Sequence, residues 1–232
     1  MRIWVTRTAP EAEATAERLR GLGHAPLVGP VLRLEPHAAP PDLQGAGALA
    51  FTSRNGVRTF SSLSGERALP AFTVGAATAQ AAREAGFAEV HSAEGDVEAL
   101  AVLIGAHRGR LAGPVVHAGP DEPAGDLVGA LAAAGVEARL GAVYRTFPCE
   151  LGPAVAAALA SDPLELEAVL VHSPRAGRRL GEIAAVAAVA DRLQAFCISA
   201  AAAEALAGAD FGGVAVAPLP NETSLLSLLH SA

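Results

Sequence analysis

No lysine occurs in this chain: all 17 of its Lys/Arg side chains are arginines. An excess of alanine and arginine at lysine's expense reflects genome composition and points to no chemistry. Cysteine is nearly as scarce. Cys149 and Cys197 stand far apart without CxxC spacing, which excludes a disulfide framework and a zinc site built on cysteine pairs. A reducing cytoplasm fits that usage. Long apolar runs are missing too. The longest, such as Ile183–Ala190, fall far short of the roughly 20 residues that cross a bilayer. The opening MRIWVTRTAP meets Pro10 before a signal-peptide core could form. A soluble cytoplasmic protein is expected.

With a net charge of −7, one Trp, one Tyr and no basic stripe, the chain is a poor partner for nucleic acid, where phosphate neutralisation dominates affinity. A membrane surface is disfavoured for the same reason. The turn after the first strand reads TRTAPEA rather than GxGxxG, which argues against a dinucleotide cofactor. Walker A, GxSxG and HExxH sequences are absent as well, so nothing supports covalent catalysis or a metal. No cofactor is expected.

What the chain does contain is one pattern stated twice. VTRTAPEAEATAERLRGLGHAPLVGP, from Val5 to Pro30, returns as VVHAGPDEPAGDLVGALAAAGVEARLGAVY, from Val115 to Tyr144. LAFTSRNGVRTF, from Leu49, returns as VLVHSPRAGRRL, from Val169, and FTVGAATAQAAREAGF, from Phe72, as FCISAAAAEALAGADF, from Phe196. Strands are expected at Ile3–Thr6, Ala25–Val28, Ala48–Phe51, Ala71–Val74, Val115–His117, Val169–His172, Ala195–Ile198 and Val214–Ala217. Helices follow nearly all of them, at Glu11–Leu22, Asn55–Ser62, Thr78–Ala85, Glu98–His107, Gly125–Ala134, Ala176–Ala188 and Ala201–Ala207. Such alternation is the signature of parallel sheets built from right-handed βαβ units, so the fold class is α/β.

At 232 residues the doubling favours two domains, and a cleft between domains favours a small-molecule site. Two proline-containing stretches, Arg33–Pro41 and Tyr144–Pro153, occupy matching places in the repeat and suit extended connections. They read as paired crossings, with one domain made of both chain ends and the other of the middle. Two sequential domains split near residue 110 are the simpler alternative.

Candidate site residues follow from the turns. Thr52, Ser53, Arg54, Asn55 and Gly56 come directly after a strand, where hydroxyl and amide side chains cap a helix and its free N–H groups attract anions. Ser173 with Pro174 occupies the equivalent turn, Gly75 to Thr78 makes a third and Ser199 marks a fourth. In open sheets these turns lie at the carboxyl ends of strands, where ligands gather. Several helix mouths aimed at one cleft would let an acidic protein hold a polyanion. Arg7, with Thr6, ends the first strand and could meet a carboxylate or be an ordinary surface arginine, and Arg54 and Arg145 carry the same two readings. Tyr144, the only tyrosine, sits at the second crossing. His117 and His172 end matching strands without any cluster of metal ligands around them and read as structural.

The ordered set of these pieces, closing with the tail APLPNETSLLSLL, resembles the uroporphyrinogen-III synthase family along almost the whole chain. That resemblance implies two similar parallel-sheet α/β domains joined by a two-stranded linker. Domain one would comprise residues 1–34 and 150–232, domain two 38–143, and the linker strands 35–37 and 144–149. It implies conversion of the linear tetrapyrrole hydroxymethylbilane into uroporphyrinogen III, with loss of water and inversion of the last ring, by a monomer needing no cofactor and touching the preceding deaminase at most transiently. Matched by position, Tyr144 is implied as the catalytic group that helps the hydroxyl leave. Arg7, Thr52, Ser53, Asn55, Gly75, Thr78, Ser173 and Ser199 are expected to bind substrate. Two departures stand out: Ala202 replaces a common threonine, and His117, Ala118 and Gly119 stand where the family often carries arginine. A non-catalytic two-domain binder of tetrapyrroles or other polyanions is the alternative that such departures leave open.

Overall fold

A computed structural model describes residues 1–230. In chain order its strands are β1 Arg2–Val5, β2 Ala25–Val28, β3 Leu32–Pro36, β4 Ala48–Phe51, β5 Ala71–Thr73, β6 Val90–Ser92, β7 Val115–Pro120, β8 Ala138–Pro148, β9 Ala168–Val171, β10 Gln194–Cys197 and β11 Gly213–Val216. The helices are α1 Glu11–Gly21, α2 Arg54–Leu63, α3 Ala76–Glu84, α4 Val97–His107, α5 Leu127–Ala133, α6 Pro153–Leu159, α7 Pro174–Glu182, α8 Ala184–Ala187, α9 Ala200–Glu204 and α10 Glu222–Ser227. None of them is long and apolar enough to cross a membrane.

The chain divides into two compact units, one of Met1–Arg33 with Phe147–Ala232 and one of Leu34–Thr146. By contact, residues 35–37 and 144–146 therefore belong to the second unit and residues 147–149 to the first. The first unit holds a five-stranded sheet in the order β11-β10-β9-β1-β2, every neighbouring pair parallel. The six-stranded sheet runs β3-β8-β7-β4-β5-β6, parallel from β8 through β6.

Matching strands by the sequence repeat, β2-β1-β9-β10-β11 corresponds to β8-β7-β4-β5-β6. Each sheet thus draws its first two strands from one half of the repeat and the other three from the opposite half. In both, strand order reverses where the two contributions meet, between β1 and β9 and between β7 and β4.

Helices cover both faces of each sheet, so the strands are continuous apolar runs rather than alternating ones. The two-residue period sends Trp4, Val169 and Cys197 into a core with Val155 of α6 and Leu180 of α7. It sends Ile3, Val5, Leu170 and Phe196 into another with Leu19 of α1 and Leu225 of α10. In the second unit Leu49, Phe51 and Val116 pack with Val57 and Phe60 of α2, while Ala48, Ala50 and Val115 pack with Ile104 of α4 and Leu131 of α5.

Four local details differ from the sequence reading. The helix expected over Ala176–Ala188 is two, because Ile183, at φ −85° and ψ 108°, leaves the helical region. The proline stretch Tyr144–Pro153 is not all extended: β8 runs through it to Pro148, and Pro153 opens α6 at its first turn, where a missing N–H costs nothing. β3 and β6, both only partly buried, lack the strong apolar signal of interior strands. α10, capped by Asn221, lies in a tail too short to show a helical period.

Candidate functional site

Reversal of strand order opens a crevice beyond the carboxyl ends of the strands at the switch point. In the Leu34–Thr146 unit that place lies between β4 and β7. Phe51 ends β4, and Thr52 and Ser53 turn the chain into α2. Ser53 is its N-cap, the side-chain oxygen accepting from the Gly56 N–H at 3.1 Å. Gly56 is required here, since a Cβ would stand 2.7 Å from the Ala118 carbonyl oxygen of β7. α2 is thereby seated against the neighbouring strand.

Tyr144 reaches the same turn from β8. An irregularity at Gly119/Pro120 sets Tyr144 opposite Pro120. Its ring is buried at 6% exposure in the core with Phe51 and Val57, and its hydroxyl lies 3.5 Å from Ser53 Oγ. Asp121, next along the chain, donates its N–H to the Tyr144 carbonyl at 3.0 Å. The Asp121 carboxylate holds His37 Nε2 at 2.6 Å and Arg145 Nε at 2.7 Å. Desolvation pushes this carboxyl up, but the bonds and charges of His37 and Arg145 outweigh it and hold it below the ordinary range.

On the opposite face of β7, His117 is fully buried and its Nε2 lies 3.1 Å from Thr52 Oγ1. Burial pushes the imidazole down to about 4, so it is neutral at physiological pH. In the adjacent turn after β5, Gly75 is the N-cap of α3 and Thr78, buried at its third position, bonds back to the Gly75 carbonyl through its N–H at 3.0 Å. Asn55 occupies the second position of α2. Thr52, Ser53, Asn55, Gly75, Thr78 and Tyr144 therefore gather at the carboxyl-end rim of one unit. Two pairs are in contact: Thr52 with His117 and Ser53 with Tyr144.

The remaining expected residues lie in the other unit. Thr6 Oγ1 donates to the Leu170 carbonyl at 2.7 Å across the β1–β9 switch point. Ser173 caps α7 by accepting from Ala176 N–H at 3.1 Å, and Ser199 caps α9 by accepting from Ala202 N–H at 3.3 Å. Ala202 itself is fully buried at the third position of α9, so that position supplies no hydroxyl to the turn.

Arg7 is engaged inside its own unit. Its guanidinium pairs with Glu222 of α10 at 2.7 Å, Thr15 donates to the same carboxylate at 2.5 Å, and His172 Nε2 lies 3.2 Å from it. Desolvation acts to raise the Glu222 carboxyl, but His172, Thr15 and Arg7 together bring it down to about 2. Neither Glu222 nor Asp121 emerges from the sequence. Glu222 is 215 residues from Arg7, and no local spacing marks either carboxylate as the centre of a polar network. Among the described residues, no group of three or more His, Cys, Asp or Glu side chains could hold a metal ion.

Chemically, the second unit's rim offers a weak phenolic acid beside a serine hydroxyl, a threonine hydroxyl backed by a neutral imidazole, and the N–H groups at the mouths of α2 and α3. Helix mouths favour anions through the macrodipole and unsatisfied donors.

The sequence model of one family, described as uroporphyrinogen-III synthase HemD, matches residues 13–227. Curated protein sequences give no match. Among solved structures, uroporphyrinogen-III synthetase from Helicobacter pylori superposes with a TM-score of 0.64 at 16% identity, over 99% of this chain and 98% of that one. A mutant uroporphyrinogen III synthase from the extremely thermophilic bacterium Thermus thermophilus gives a TM-score of 0.58 at 22% identity, over 100% of this chain and 96% of that one. At these identities the structural likeness concerns the fold.

Proposed function

Since the chain belongs to the uroporphyrinogen-III synthase family, lyases of heme biosynthesis, we propose that it cyclises hydroxymethylbilane to uroporphyrinogen III, with Tyr144 as the acid that assists departure of the hydroxyl group. The observation that carries this reading is the Tyr144 hydroxyl lying 3.5 Å from Ser53 Oγ at the switch point of a parallel sheet, where ligands gather.

The chemistry asks little of side chains. Electrons from the pyrrole nitrogen expel the hydroxyl, which takes a proton and leaves as water, and the terminal ring becomes an electrophilic azafulvene. Attack by the substituted carbon of the last ring forms a spiro intermediate. The bond from that carbon to its original bridging methylene then breaks, which makes the preceding ring an azafulvene. The freed methylene recloses on the unsubstituted α-carbon across the last ring's nitrogen, so that the ring is inverted, and loss of the proton from that carbon restores aromaticity. Unaided closure gives the uninverted isomer, so the enzyme's work is mainly geometric. Holding reacting atoms in a near-attack arrangement supplies up to about 7–11 kcal/mol, and a positioned acid adds roughly 10²–10⁴-fold.

Carboxylates on every ring of the substrate suit the helix mouths at Ser53, Gly75, Ser173 and Ser199, which present N–H donors without a matching lysine or arginine array. Asn55, Thr52 and Thr78 add side-chain donors in this proposal. Arg7, already paired with Glu222, acts by shaping the rim of its unit or by exchanging that partner for a substrate carboxylate. The protein works without cofactor, as a cytoplasmic monomer in at most transient contact with the enzyme that supplies its unstable substrate.

Incubation with freshly generated hydroxymethylbilane followed by separation of product isomers is the test. Type III product is expected. Only the type I isomer at the spontaneous rate would refute catalysis, and saturable binding alongside it would identify a non-catalytic polyanion binder. Tyr144→Phe should slow formation of type III product by roughly 10²–10⁴-fold without abolishing it. Full activity in that variant removes Tyr144 from the mechanism.

A further inference from the structure

We propose that His117 is a positioning residue: it fixes the direction of the Thr52 hydroxyl, turning that group outward as a hydrogen-bond donor for an acceptor oxygen of the substrate. The inference rests on the functional reading above and adds to it a residue that never touches substrate.

A neutral imidazole protonates one nitrogen and leaves the other as an acceptor. His117 Nε2 lies 3.1 Å from Thr52 Oγ1, whereas Nδ1 is buried with no hydrogen-bond partner. A proton on Nδ1 would create a buried N–H without an acceptor, and orphaned buried N–H groups are rarer than unsatisfied acceptors. The economical arrangement puts the proton on Nε2, which donates to Thr52 Oγ1. That oxygen then has one lone pair filled, and its own hydrogen turns away from the imidazole.

Burial sets the direction in which that hydrogen faces. His117 is fully buried while Thr52 is only partly so, and Thr52 makes no other side-chain hydrogen bond among the described residues. Thr52 stands in the turn after β4, directly before Ser53, whose Oγ lies 3.5 Å from the Tyr144 hydroxyl. An approaching carboxylate therefore meets a hydroxyl already polarised as a donor.

Two features keep the arrangement in place. Gly119 leaves room for the ring, since a Cβ there would stand 3.0 Å from His117 Nε2. Burial keeps the imidazole neutral through physiological pH, so it neither repels a cationic neighbour nor attracts the anion into the core.

The test is a mutant cycle on the full chain combined with a ring spectrum. The variants are Thr52→Val, His117→Leu, His117→Gln and the double variant His117→Leu with Thr52→Val. Each is assayed for KM and kcat with hydroxymethylbilane, reading type III isomer. Thr52→Val should raise KM by roughly tenfold to a hundredfold, the range for a hydrogen bond to a charged group. His117→Leu should raise KM into the same range with kcat changed much less. His117→Gln, whose amide N–H can replace the Nε2 donor, should recover most of the loss. The double variant should be no worse than Thr52→Val alone.

In the wild-type chain, the nitrogen-15 spectrum of the His117 ring should show the proton on Nε2. A proton on Nδ1, additive losses in the double variant, or no recovery by His117→Gln in a folded protein would each overturn the proposal. The ring spectrum needs only the wild type, so it decides even where His117→Leu does not fold. Wild-type chain that yields no type III product overturns the functional reading instead, and the spectrum still decides the hydroxyl's direction.

Discussion

Acid should destabilise the Leu34–Thr146 unit through one histidine. His117 has its folded pKa near 4 against an ordinary histidine value of 6.5, and desolvation is the cause. Between those values the unfolded chain binds a proton at this side chain that the folded chain refuses. Stability rises with pH wherever the unfolded state binds more protons. The contribution is therefore fully present above about pH 6.5, is lost as pH falls towards about 4, and levels off below that, where the folded form also takes the proton.

At about 1.4 kcal/mol per pH unit, the interval between 6.5 and about 4 amounts to roughly 3 kcal/mol. Urea midpoints measured at several pH values read it directly, since the midpoint scales with stability at constant slope. The optical probes separate the units. Tyr144, the only tyrosine, lies in the same unit as His117, and Trp4, the only tryptophan, lies in the other. The tyrosine signal should lose its midpoint progressively below about pH 6.5 in the wild type and far less in His117→Leu. His24 is also held below its ordinary value, mainly by desolvation, so the difference between wild type and variant is the quantity to read. Parallel curves for the two proteins would refute the burial argument.

Three further outcomes are expected. Glu222→Gln should cost the Met1–Arg33 and Phe147–Ala232 unit roughly 3 kcal/mol, the lower end for removing one member of a buried pair. Arg7 and Glu222 are only 17% and 12% exposed, and Trp4 fluorescence in urea would report the loss. The same carboxylate, near 2 when folded against an ordinary 4.5, contributes stability that is present above about pH 4.5 and lost as pH falls towards 2. The glutamine variant should lack that acid limb, and an unchanged limb would deny Glu222 its role. Gly56→Ala should destabilise the other unit by about 1–3 kcal/mol, the usual cost of overpacking, because its Cβ meets the Ala118 carbonyl at 2.7 Å. Unaltered unfolding and turnover in Gly56→Ala would show that α2 shifts freely away from β7.

Much of the architecture is legible in the chain because its strongest signals are local. Runs such as Leu49–Phe51 and Val169–Val171 are apolar on both faces and stop at Thr52 and His172, and a serine follows each to cap a helix. Alternation, chemistry and propensity then agree. Legibility fails where local signals are weak. β6 is three partly buried residues at a sheet edge, and Ile183 breaks the expected Ala176–Ala188 helix where no proline announces the break.

The candidate site divides the same way. Ser53, Ser173 and Ser199 are conspicuous as capping residues at strand ends, and their backbone bonds are local. His117 reads as structural because a histidine ending an apolar strand carries no sign of its partner. Thr52 lies 65 residues away along the chain.

Composition and periodicity by themselves determine that this chain builds parallel α/β sheets, and the order of its motifs determines the family. Both properties are written within a few residues of each place where they act. Only the tertiary structure decides that β1 lies beside β9 and β4 beside β7, crossing the two halves of the repeat. It also decides that Glu222 closes on Arg7 and that Tyr144 comes within 3.5 Å of Ser53. Those pairings depend on which apolar faces bury each other across long stretches of chain, and two similar halves carry the same local pattern for either partner.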